Sequence, residues 1–525
     1  MVRSDGSKSR MWARRIAWGW LVAILAISPP DRHDRAHAHP APFDPRRRRP
    51  NLLILIGDDH AAGTLGIDGD PRRATPRLDR LAREGVRFDR AYCNAPLCTP
   101  SRQSVIIGRL PHAVGVTRLT TALPDDALTL GHWLGDLGYD TAAFGKMHFN
   151  AKTGADNRHG FADRVDTDDW TRWLAAHPPR EGDRQTKWNP FRSPPEHWLN
   201  AEGRSFGLPD DAMESSFYVR KAEAFLRGHR SDRQAPPFAL VLGFYEPHAP
   251  FRFPDGWTPR FRPDDFPDHP LTDRDRLDQP KVFARLTPEQ KRGIAASYYS
   301  SLAYLDRQVG RVLDALDASG QAENTVVIYL GDNGCLLGEH GRFEKHCFYE
   351  AAVRVPLLLR WPRHLPDDRR VLDLVELVDV VPTLLDLIGA PLPPDLHGRS
   401  RRDLALGQPG ARGRDVVVSE YLENAEAMAR SDRYKLIVAA ATRQRRDGYA
   451  PASPSPAGPS ERLFDLKADP GETTNLIDRP DLAPVARDLR AKLLDRLRTT
   501  RERRTPVPPG LTDADALRWC LTPQD

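Results

Sequence analysis

The chain has 525 residues, of which 28% are charged and 40% hydrophobic, and its formal net charge at pH 7 is +5. This length allows a large domain with a sizeable core and a second, smaller domain. So small a net charge, without interleaved aromatic and basic residues, excludes nucleic acid as an expected partner. The five cysteines are too few for a disulfide scaffold, and none has the Cys-x-x-Cys spacing of a zinc site.

The N-terminus has the pattern of an export signal. Basic residues, including Arg14 and Arg15, precede an apolar run at 16–27, and Ala36-His37-Ala38 then offers a small-x-small cleavage site. The run is shorter than the roughly 20 residues that span a bilayer, so a cleaved signal peptide is favoured over a membrane anchor. We therefore predict a signal peptide at 1–38, a linker at 39–50, no stable membrane span in the mature chain, and a periplasmic or secreted location.

The middle of the chain alternates short apolar strands with helices. The run from Asn51 to Gly57 is apolar almost throughout, which is typical of a strand covered by helices on both faces. Further strands are predicted at 141–145, 238–244, 325–330 and 355–360, and helices at 77–84, 128–137, 213–228 and 288–319. This alternation predicts an α/β catalytic domain at 51–410, with a large, mainly parallel central sheet flanked by helices.

Beyond about residue 410 the pattern changes. Short strands are predicted at 416–418, 434–438 and 463–466, followed by a helix at 482–497. The strands are no longer separated by helices, as they are in the preceding part of the chain. We therefore predict a smaller α+β subdomain at 411–525.

Two of the predicted strands are followed directly by acidic or amide side chains. Asp58 and Asp59 follow the first strand, and Asp332 and Asn333 follow the strand at 325–330. In parallel sheets, ligands bind beyond the carboxyl ends of the strands, and an all-oxygen set suits a hard divalent cation. Taken singly, each pair is also ordinary turn chemistry. Their occurrence after two buried strands, together with the C-T-P-S-R run at 98–102, favours a metal site.

The residues Cys98 to Arg102 read C-T-P-S-R, which resembles the C-x-P-x-R maturation signal of type I sulfatases, in which the cysteine is oxidised to formylglycine. Other stretches resemble the same family: 51–59, 75–79, 145–148, 247–248, 331–334, 338–341, 345, 349–350 and 463–476. The chain is therefore similar to the formylglycine-dependent sulfatases of the alkaline phosphatase superfamily over nearly its whole mature length.

This resemblance implies a role for each candidate site residue. The ligands of one calcium or magnesium ion would be Asp58, Asp59, Asp332, Asn333 and an oxygen of the converted Cys98. The remaining residues would act on the formylglycine or the sulfate: Arg102 and Lys146 as formylglycine contacts, His148 as the base, and His248 and Lys345 as sulfate contacts that deliver a proton to the leaving group. A histidine suits proton transfer because its pKa lies near working pH. Maturation implies a formylglycine-generating enzyme as a partner.

The function implied is that of a sulfuric ester hydrolase acting on a sulfated small molecule or glycan. A formylglycine hydrate carries two hydroxyls on one carbon, so one can attack sulfur and the other can later expel sulfate. The nearest alternative is a phosphonate monoester or phosphodiester hydrolase on the same fold. A two-zinc phosphatase is disfavoured because the sequence offers no second ligand set and no Ser or Thr as nucleophile. A non-catalytic sulfoglycan-binding protein is disfavoured because binding alone does not require both a metal site and a base.

Two features beside this site have alternative readings. Trp170, Trp173, Trp188 and Trp198 cluster at 166–200, where they either stack on substrate or pin a long insertion onto the domain, and pinning is favoured. His346, beside Lys345, is a second candidate contact for sulfate or substrate.

Overall fold

The computed structural model describes residues 49–150, 158–178, 192–229, 235–257, 261–441, 449–451, 458–501 and 506–522. The predicted signal peptide, most of the predicted linker and Trp188 lie outside these residues. Among the helices described, none is long and apolar enough to cross a membrane. All five cysteines lie in the described part of the chain, and each is buried and outside any disulfide.

The strands, numbered in chain order, are β1 Asn51–Gly57, β2 Val86–Phe88, β3 Ala91–Tyr92, β4 Asp140–Gly145, β5 Asp163–Val165, β6 Phe238–Gly243, β7 Thr325–Gly331, β8 Arg354–Val355, β9 Leu357–Arg360, β10 Arg369–Val371, β11 Val375–Glu376, β12 Val417–Tyr421, β13 Glu426–Arg430, β14 Tyr434–Ala439 and β15 Ser460–Asp465. The helices are α1 Pro76–Arg83, α2 Cys98–Ile107, α3 Pro111–Val114, α4 Leu130–Asp136, α5 Thr167–Ala176, α6 Pro195–Trp198, α7 Glu214–Gly228, α8 Asp273–Asp278, α9 Pro288–Ala318, α10 Glu350–Val353, α11 Val380–Leu387, α12 Arg402–Leu406, α13 Ala483–Thr499 and α14 Asp513–Leu521.

A sheet of eight strands, in the order β10-β2-β9-β7-β1-β6-β4-β5, forms the centre of the fold. Strand β1 is parallel to β7 on one side and to β6 on the other, and β4 continues the parallel set. The predicted strand at 355–360 is broken at Pro356 into β8 and β9, and β9 runs antiparallel to β7. The predicted α/β class with a large, mainly parallel sheet is confirmed.

Strand β1 shows why an unbroken apolar run was needed at the centre. Alternate side chains of a strand point to opposite faces, and Leu52, Ile54 and Ile56 pack in one core cluster. Leu53 and Leu55 pack in the other, together with side chains of α7 and α9. Because helices cover both faces, every position of β1 is buried. Because β1 lies at the centre of the sheet, the residues that follow it, Asp58 and Asp59, lie at the centre of the sheet's carboxyl edge.

The C-terminal part contains a four-stranded antiparallel sheet, β12-β13-β14-β15, with α13 and α14 packed beside it. Strand β13 and helix α14 were not predicted. Strand β13 buries the small residues Ala427 and Ala429 between two neighbouring strands, so its pairing overrides the weak strand preference of alanine. The smaller α+β part is thus present, and its sheet is fully antiparallel.

A buried ion-pair network joins this sheet to helix α10. The ammonium of Lys435, on β14, lies 2.8 Å from carboxylate oxygens of both Glu350 and Glu472. Burial would raise the pKa of Glu350, but the charges of Lys435 and Arg430 lower it to about 2. Glu350 opens α10, a few residues after the loop that carries Lys345. The C-terminal sheet therefore braces the segment that follows this part of the candidate site.

Candidate active site

The structure brings all ten predicted site residues to one edge of the central sheet. Six of them directly follow parallel strands: Asp58 and Asp59 after β1, Lys146 and His148 after β4, and Asp332 and Asn333 after β7. His248 lies in the loop after β6, Cys98 and Arg102 lie on α2, and Lys345 lies in the loop before α10. Because β7, β1, β6 and β4 are neighbours, their carboxyl ends open into the same crevice.

Potential ligand atoms for a cation converge in this crevice. Asp58, Asp59, Cys98 and His248 each present one potential ligand atom, and these four atoms lie within 4.8 Å of one another. Two buried oxygens, Asp58 Oδ1 and Asn333 Oδ1, have no hydrogen-bond partner among the described residues. A buried polar atom left unpaired is costly, and carboxylate and amide oxygens are ligands that calcium and magnesium prefer. The donor set fits one such ion.

Asp332 is already engaged by protein donors. Its Oδ1 accepts hydrogen bonds from the backbone N–H groups of Asp59 at 3.0 Å and Asn333 at 2.8 Å, and its Oδ2 accepts one from Arg102 Nε at 2.7 Å. Burial and the nearby charges of Asp58 and Asp59 raise the pKa of Asp332, although the charge of Arg102 acts in the opposite direction. Arg102 also lies 3.6 Å from Asp58. Asp332 thus ties the two acidic loops and Arg102 together.

Two lysines face the acidic residues and Cys98. Lys345 Nζ lies 2.5 Å from Asp59 Oδ1 and 2.9 Å from Cys98 Sγ, and Lys146 pairs with Asp58. Burial would raise the pKa of Asp58, but Lys146, His248 and Arg102 hold it well below its usual range. Burial and the charge of Asp58 raise the pKa of the Cys98 thiol. Unconverted Cys98 would therefore be a neutral thiol, which is a poor nucleophile.

The hydrogen bonds of His148 fix which ring nitrogen carries its proton. The Thr99 hydroxyl donates to the Leu119 carbonyl at 2.8 Å, so its oxygen accepts from His148 Nδ1 at 3.2 Å. The neutral ring then has its lone pair on Nε2. Burial and the charges of Lys146 and Arg102 lower the pKa of His148 well below its usual value. A neutral His148 with its lone pair on Nε2 can accept a proton.

His248 has the same tautomer for a different reason. Its Nδ1 lies 2.5 Å from the carbonyl oxygen of Ala249, which can only accept, so Nδ1 carries the proton. Its Nε2 lies 3.8 Å from Asp59 Oδ2, on the side of the candidate site. Burial and the charges of Lys345 and Lys146 lower the pKa of His248 to about 4. His248 is therefore neutral near pH 7 before a substrate brings further negative charge.

Two of the site residues have strained backbones. Asp59 has a φ of 61° and His148 a φ of 56°, in the left-handed region that residues with a Cβ rarely adopt. Each residue lies just beyond the end of its strand, where the chain must turn to direct the side chain into the crevice. Such strain persists where the surroundings hold it, often at functional sites.

Six of the site residues line part of a cavity of about 680 Å³, namely Asp59, Cys98, Lys146, His148, His248 and Lys345. Aromatic side chains line another part of it: Trp198, Phe343, His346 and Tyr449. His346 and Trp198 were candidates from the sequence, whereas Phe343 and Tyr449 were not. No local pattern links Tyr449 to the other three, which lie far from it in the chain. Trp170, in contrast, is buried in the core and donates from Nε1 to the Ala212 carbonyl at 3.0 Å. The pinning interpretation is therefore confirmed for Trp170.

Comparison with known proteins identifies the class. The sulfatase family model matches residues 50–390, and a model described as the C-terminal part of N-sulphoglucosamine sulphohydrolase matches residues 338–499. A choline-sulfatase of Rhizobium meliloti is 30% identical over 84% of this chain and 86% of its own length. An arylsulfatase of Clostridium perfringens is 26% identical, covering 89% of this chain and 97% of that protein.

Among solved structures, the phosphonate monoester hydrolase of Agrobacterium radiobacter is similar with a TM-score of 0.71 and 25% identity, covering 85% of this chain and 95% of that one. The fold and the site thus define a hydrolase of the alkaline phosphatase superfamily. The chain belongs to the sulfatase family and is a sulfuric ester hydrolase. Members of this family generally use a divalent metal and a formylglycine.

Proposed function

We propose that this chain hydrolyses sulfate monoesters with a formylglycine formed from Cys98 and one bound calcium or magnesium ion. The observation that carries the proposal is the position of Cys98 Sγ, 2.9 Å from Lys345 Nζ and 3.9 Å from Asp59 Oδ1, at the N-terminus of α2. Residue 98 thus lies where a nucleophile would face both a cation and the candidate metal ligands. A formylglycine-generating enzyme would be required for maturation.

The two groups would supply chemistry that no encoded side chain offers. A formylglycine hydrate at residue 98 would provide two hydroxyls on one carbon, one to attack sulfur and one through which sulfate is later expelled. The ion would be held by Asp58, Asp59, Asn333 and Asp332, together with residue 98, and would offset the negative charge of nucleophile and sulfate.

The side chains of the chain itself then divide the remaining work. Lys345 forms an ion pair with Asp59 and Lys146 forms one with Asp58, both beside residue 98. The two ammonium groups can therefore stabilise negative charge that develops on sulfate oxygens. Arg102 holds Asp332 and lies near Asp58, which fixes the acidic loops. His148, neutral and with its lone pair on Nε2, would take the proton from the second hydroxyl when sulfate is expelled.

His248 would deliver the proton that the leaving alcohol requires. Its Nε2 lies on the site side of the ring, but a pKa of about 4 leaves it neutral near pH 7. A bound sulfate ester adds a negative charge close to this ring, which favours the protonated form. Proton delivery therefore depends on substrate binding, and His248 keeps this orientation through its bond to Ala249.

A phosphonate monoester or phosphodiester hydrolase remains a second candidate. The similarity to the Agrobacterium phosphonate monoester hydrolase favours it, since that structure covers most of this chain. The relatives are also named for sulfate esters of different alcohols, one of an aryl alcohol and one of choline.

The N-terminal sequence supports a periplasmic or secreted enzyme, as expected for one that acts on external sulfate esters.

A turnover assay tests the proposal. It would use protein whose residue 98 has been characterised by mass spectrometry. The panel would hold 4-nitrophenyl sulfate, monosulfated sugars, a phenyl phosphonate monoester and a phosphodiester, with Cys98→Ala as the matched control. We expect sulfate release from a sulfate ester that Cys98→Ala cannot catalyse. Turnover of only the phosphorus esters would favour the second candidate, and full activity of Cys98→Ala would contradict both.

A further inference from the structure

The cavity beside the reacting groups carries a wall of rings from distant segments. We define the ring wall as Trp198, Phe343, His346 and Tyr449, all of which line the cavity that also contains Cys98. The rings of His346 and Tyr449 are 5.1 Å apart and tilted by 37°, and those of Trp198 and Tyr449 are 6.5 Å apart at 65°. Tyr449 therefore contacts both Trp198 and His346, and rings at these separations pack favourably.

The buried ring of Phe283 holds the ring wall in place. Its centroid lies 5.7 Å from that of Phe343, 5.8 Å from that of Tyr449 and 6.3 Å from that of Trp198. The backbone around Tyr449 is fixed to the same region, because Lys281 N–H donates to the Ala450 carbonyl at 2.8 Å. A bridge between Pro280 and Pro451 continues this contact. The wall is thus preorganised, which lowers the ordering cost of binding.

The orientation of His346 is fixed by charge as well as by packing. Its Nδ1 donates to Glu344 at 2.7 Å, and Glu344 accepts from Arg342 at 2.6 Å through its other oxygen. The ring also lies 5.9 Å from that of Tyr421, on β12. Lys345 contacts Cys98 directly, and His346 is the next residue in the chain. The ring wall therefore begins one residue after a side chain that touches residue 98.

We propose that the ring wall is the binding site for the alcohol part of the substrate, and that this alcohol contains a ring. The proposal rests on the proposed function, since it requires the ester to be cleaved at residue 98. A ring face, whether the C–H face of a pyranose or the π face of a phenol, can pack on Tyr449 and His346 while the sulfate lies among Lys146, Lys345 and His248. An acyclic alcohol presents no such face.

Matched esters test the proposal. A pyranose 6-sulfate and 2-hydroxyethyl sulfate are both esters of primary alcohols, so they differ mainly in the ring. We expect kcat/KM for the pyranose ester to exceed that for the acyclic ester about tenfold, the size of a ring-stacking contribution. Benzyl sulfate against n-hexyl sulfate, both esters of primary alcohols, forms the aryl arm, and the arm with the larger ratio shows which ring the wall prefers. Equal rates for ring and acyclic esters in both arms would overturn the proposal.

Variants of Tyr449 connect the preference to the wall. Tyr449→Leu keeps apolar volume without a ring and should remove most of the preference, whereas Tyr449→Phe should retain it. His346→Leu should weaken it as well. Trp173, which stacks on His177 outside the cavity, supplies the control, and Trp173→Leu should leave the preference unchanged. A preference that survives in both Tyr449→Leu and His346→Leu would overturn the assignment to the ring wall.

Binding to the inactive protein separates this inference from the proposed function. Titration calorimetry of Cys98→Ala with the two primary-alcohol esters needs no turnover. Tighter binding of the pyranose ester, lost when Tyr449→Leu is added, supports the ring wall even if no sulfate ester is hydrolysed. Equal affinities would overturn it even if sulfate esters are turned over.

Discussion

Tyr245 and His248 donate hydrogen bonds to the same acceptor, the carbonyl oxygen of Ala249. The distances are 2.8 Å from the Tyr245 hydroxyl and 2.5 Å from His248 Nδ1, and the two rings lie 5.1 Å apart. The face of Tyr245 also lies 5.1 Å from Lys146 Nζ, with the guanidinium of Arg252 at 3.3 Å from the ring centroid. Tyr245 therefore contacts two side chains to which we assign roles in sulfate ester cleavage.

This arrangement predicts a selective effect of Tyr245→Phe. The variant keeps the ring under Lys146 and removes one hydrogen bond that holds the Ala249 carbonyl towards His248. We expect kcat/KM to fall about 3- to 10-fold for alkyl sulfates, the value of one hydrogen bond, and to change little for 4-nitrophenyl sulfate, whose leaving group needs no acid. An equal fall for both esters would show that Tyr245 does not act through His248.

The roles of His148 and His248 can be separated by where each variant stops. His148→Ala should still release one alcohol per active site and then stall, giving a burst equal to the enzyme present. His248→Ala should instead slow alcohol release, most of all from esters with poor leaving groups. Stopped-flow measurement with 4-nitrophenyl sulfate should therefore show partial rescue of His248→Ala only. A burst from His248→Ala would require the two roles to be exchanged.

The metal proposal predicts one divalent ion for each chain. Asp59 contacts Lys345, Asn333 and Cys98, so Asp59→Asn removes a charge from the centre of the donor set. Elemental analysis should find about one equivalent of calcium or magnesium in the parent protein and much less in the variant. A chelator should abolish activity if the ion exchanges, and the ion should restore it. An unchanged metal content in Asp59→Asn would place the ion elsewhere.

A buried carboxylate outside the candidate site predicts a pH-dependent stability. Burial would raise the pKa of Asp379, but Arg414 and Arg401 lower it to about 2. Because this value lies below that of the unfolded chain, the pair stabilises the fold above about pH 4 and loses its effect as the pH falls towards 2.

Asp379→Asn should therefore lower the free energy of unfolding by about 3 kcal/mol at pH 7, as for other broken buried pairs. The difference from the parent protein should shrink between pH 4 and pH 2, as followed by urea denaturation. Asp403 is the control because its carboxylate is 68% exposed and 3.8 Å from Arg402, and Asp403→Asn should change stability by less than about 0.5 kcal/mol. A difference from the parent that does not depend on pH would contradict the charge-based account.

The sequence predicts those parts of the fold that local patterns determine. The apolar runs of β1, β6 and β7 are long and uninterrupted, and the predicted helix at 288–319 is found at Pro288–Ala318 with its capping box of Thr287 and Gln290. Short strands such as β2, β3 and β10 were not predicted, because two or three residues carry no periodicity and are defined only by their partners.

The candidate site also contains residues that local sequence patterns predict and residues that they do not. Residues that directly follow strands, such as Asp58 and Asp332, are accessible to sequence reasoning because the ends of parallel strands meet. Trp198 and His346 were candidates from the sequence, but the ring wall as a whole was not, because Trp198, Phe343 and Tyr449 come from separate segments whose rings meet at Phe283 only in the folded chain. The tautomers of His148 and His248 likewise depend on acceptors that only the structure reveals.

The measurement that tests the central claim most directly is the mass of the peptide that contains residue 98, in active protein from a host with the converting enzyme. The account predicts that this peptide is lighter by the exchange of a thiol for an aldehyde, and that sulfatase activity rises in proportion to the converted fraction. Fully active protein that contains only the unmodified Cys98 thiol would contradict it.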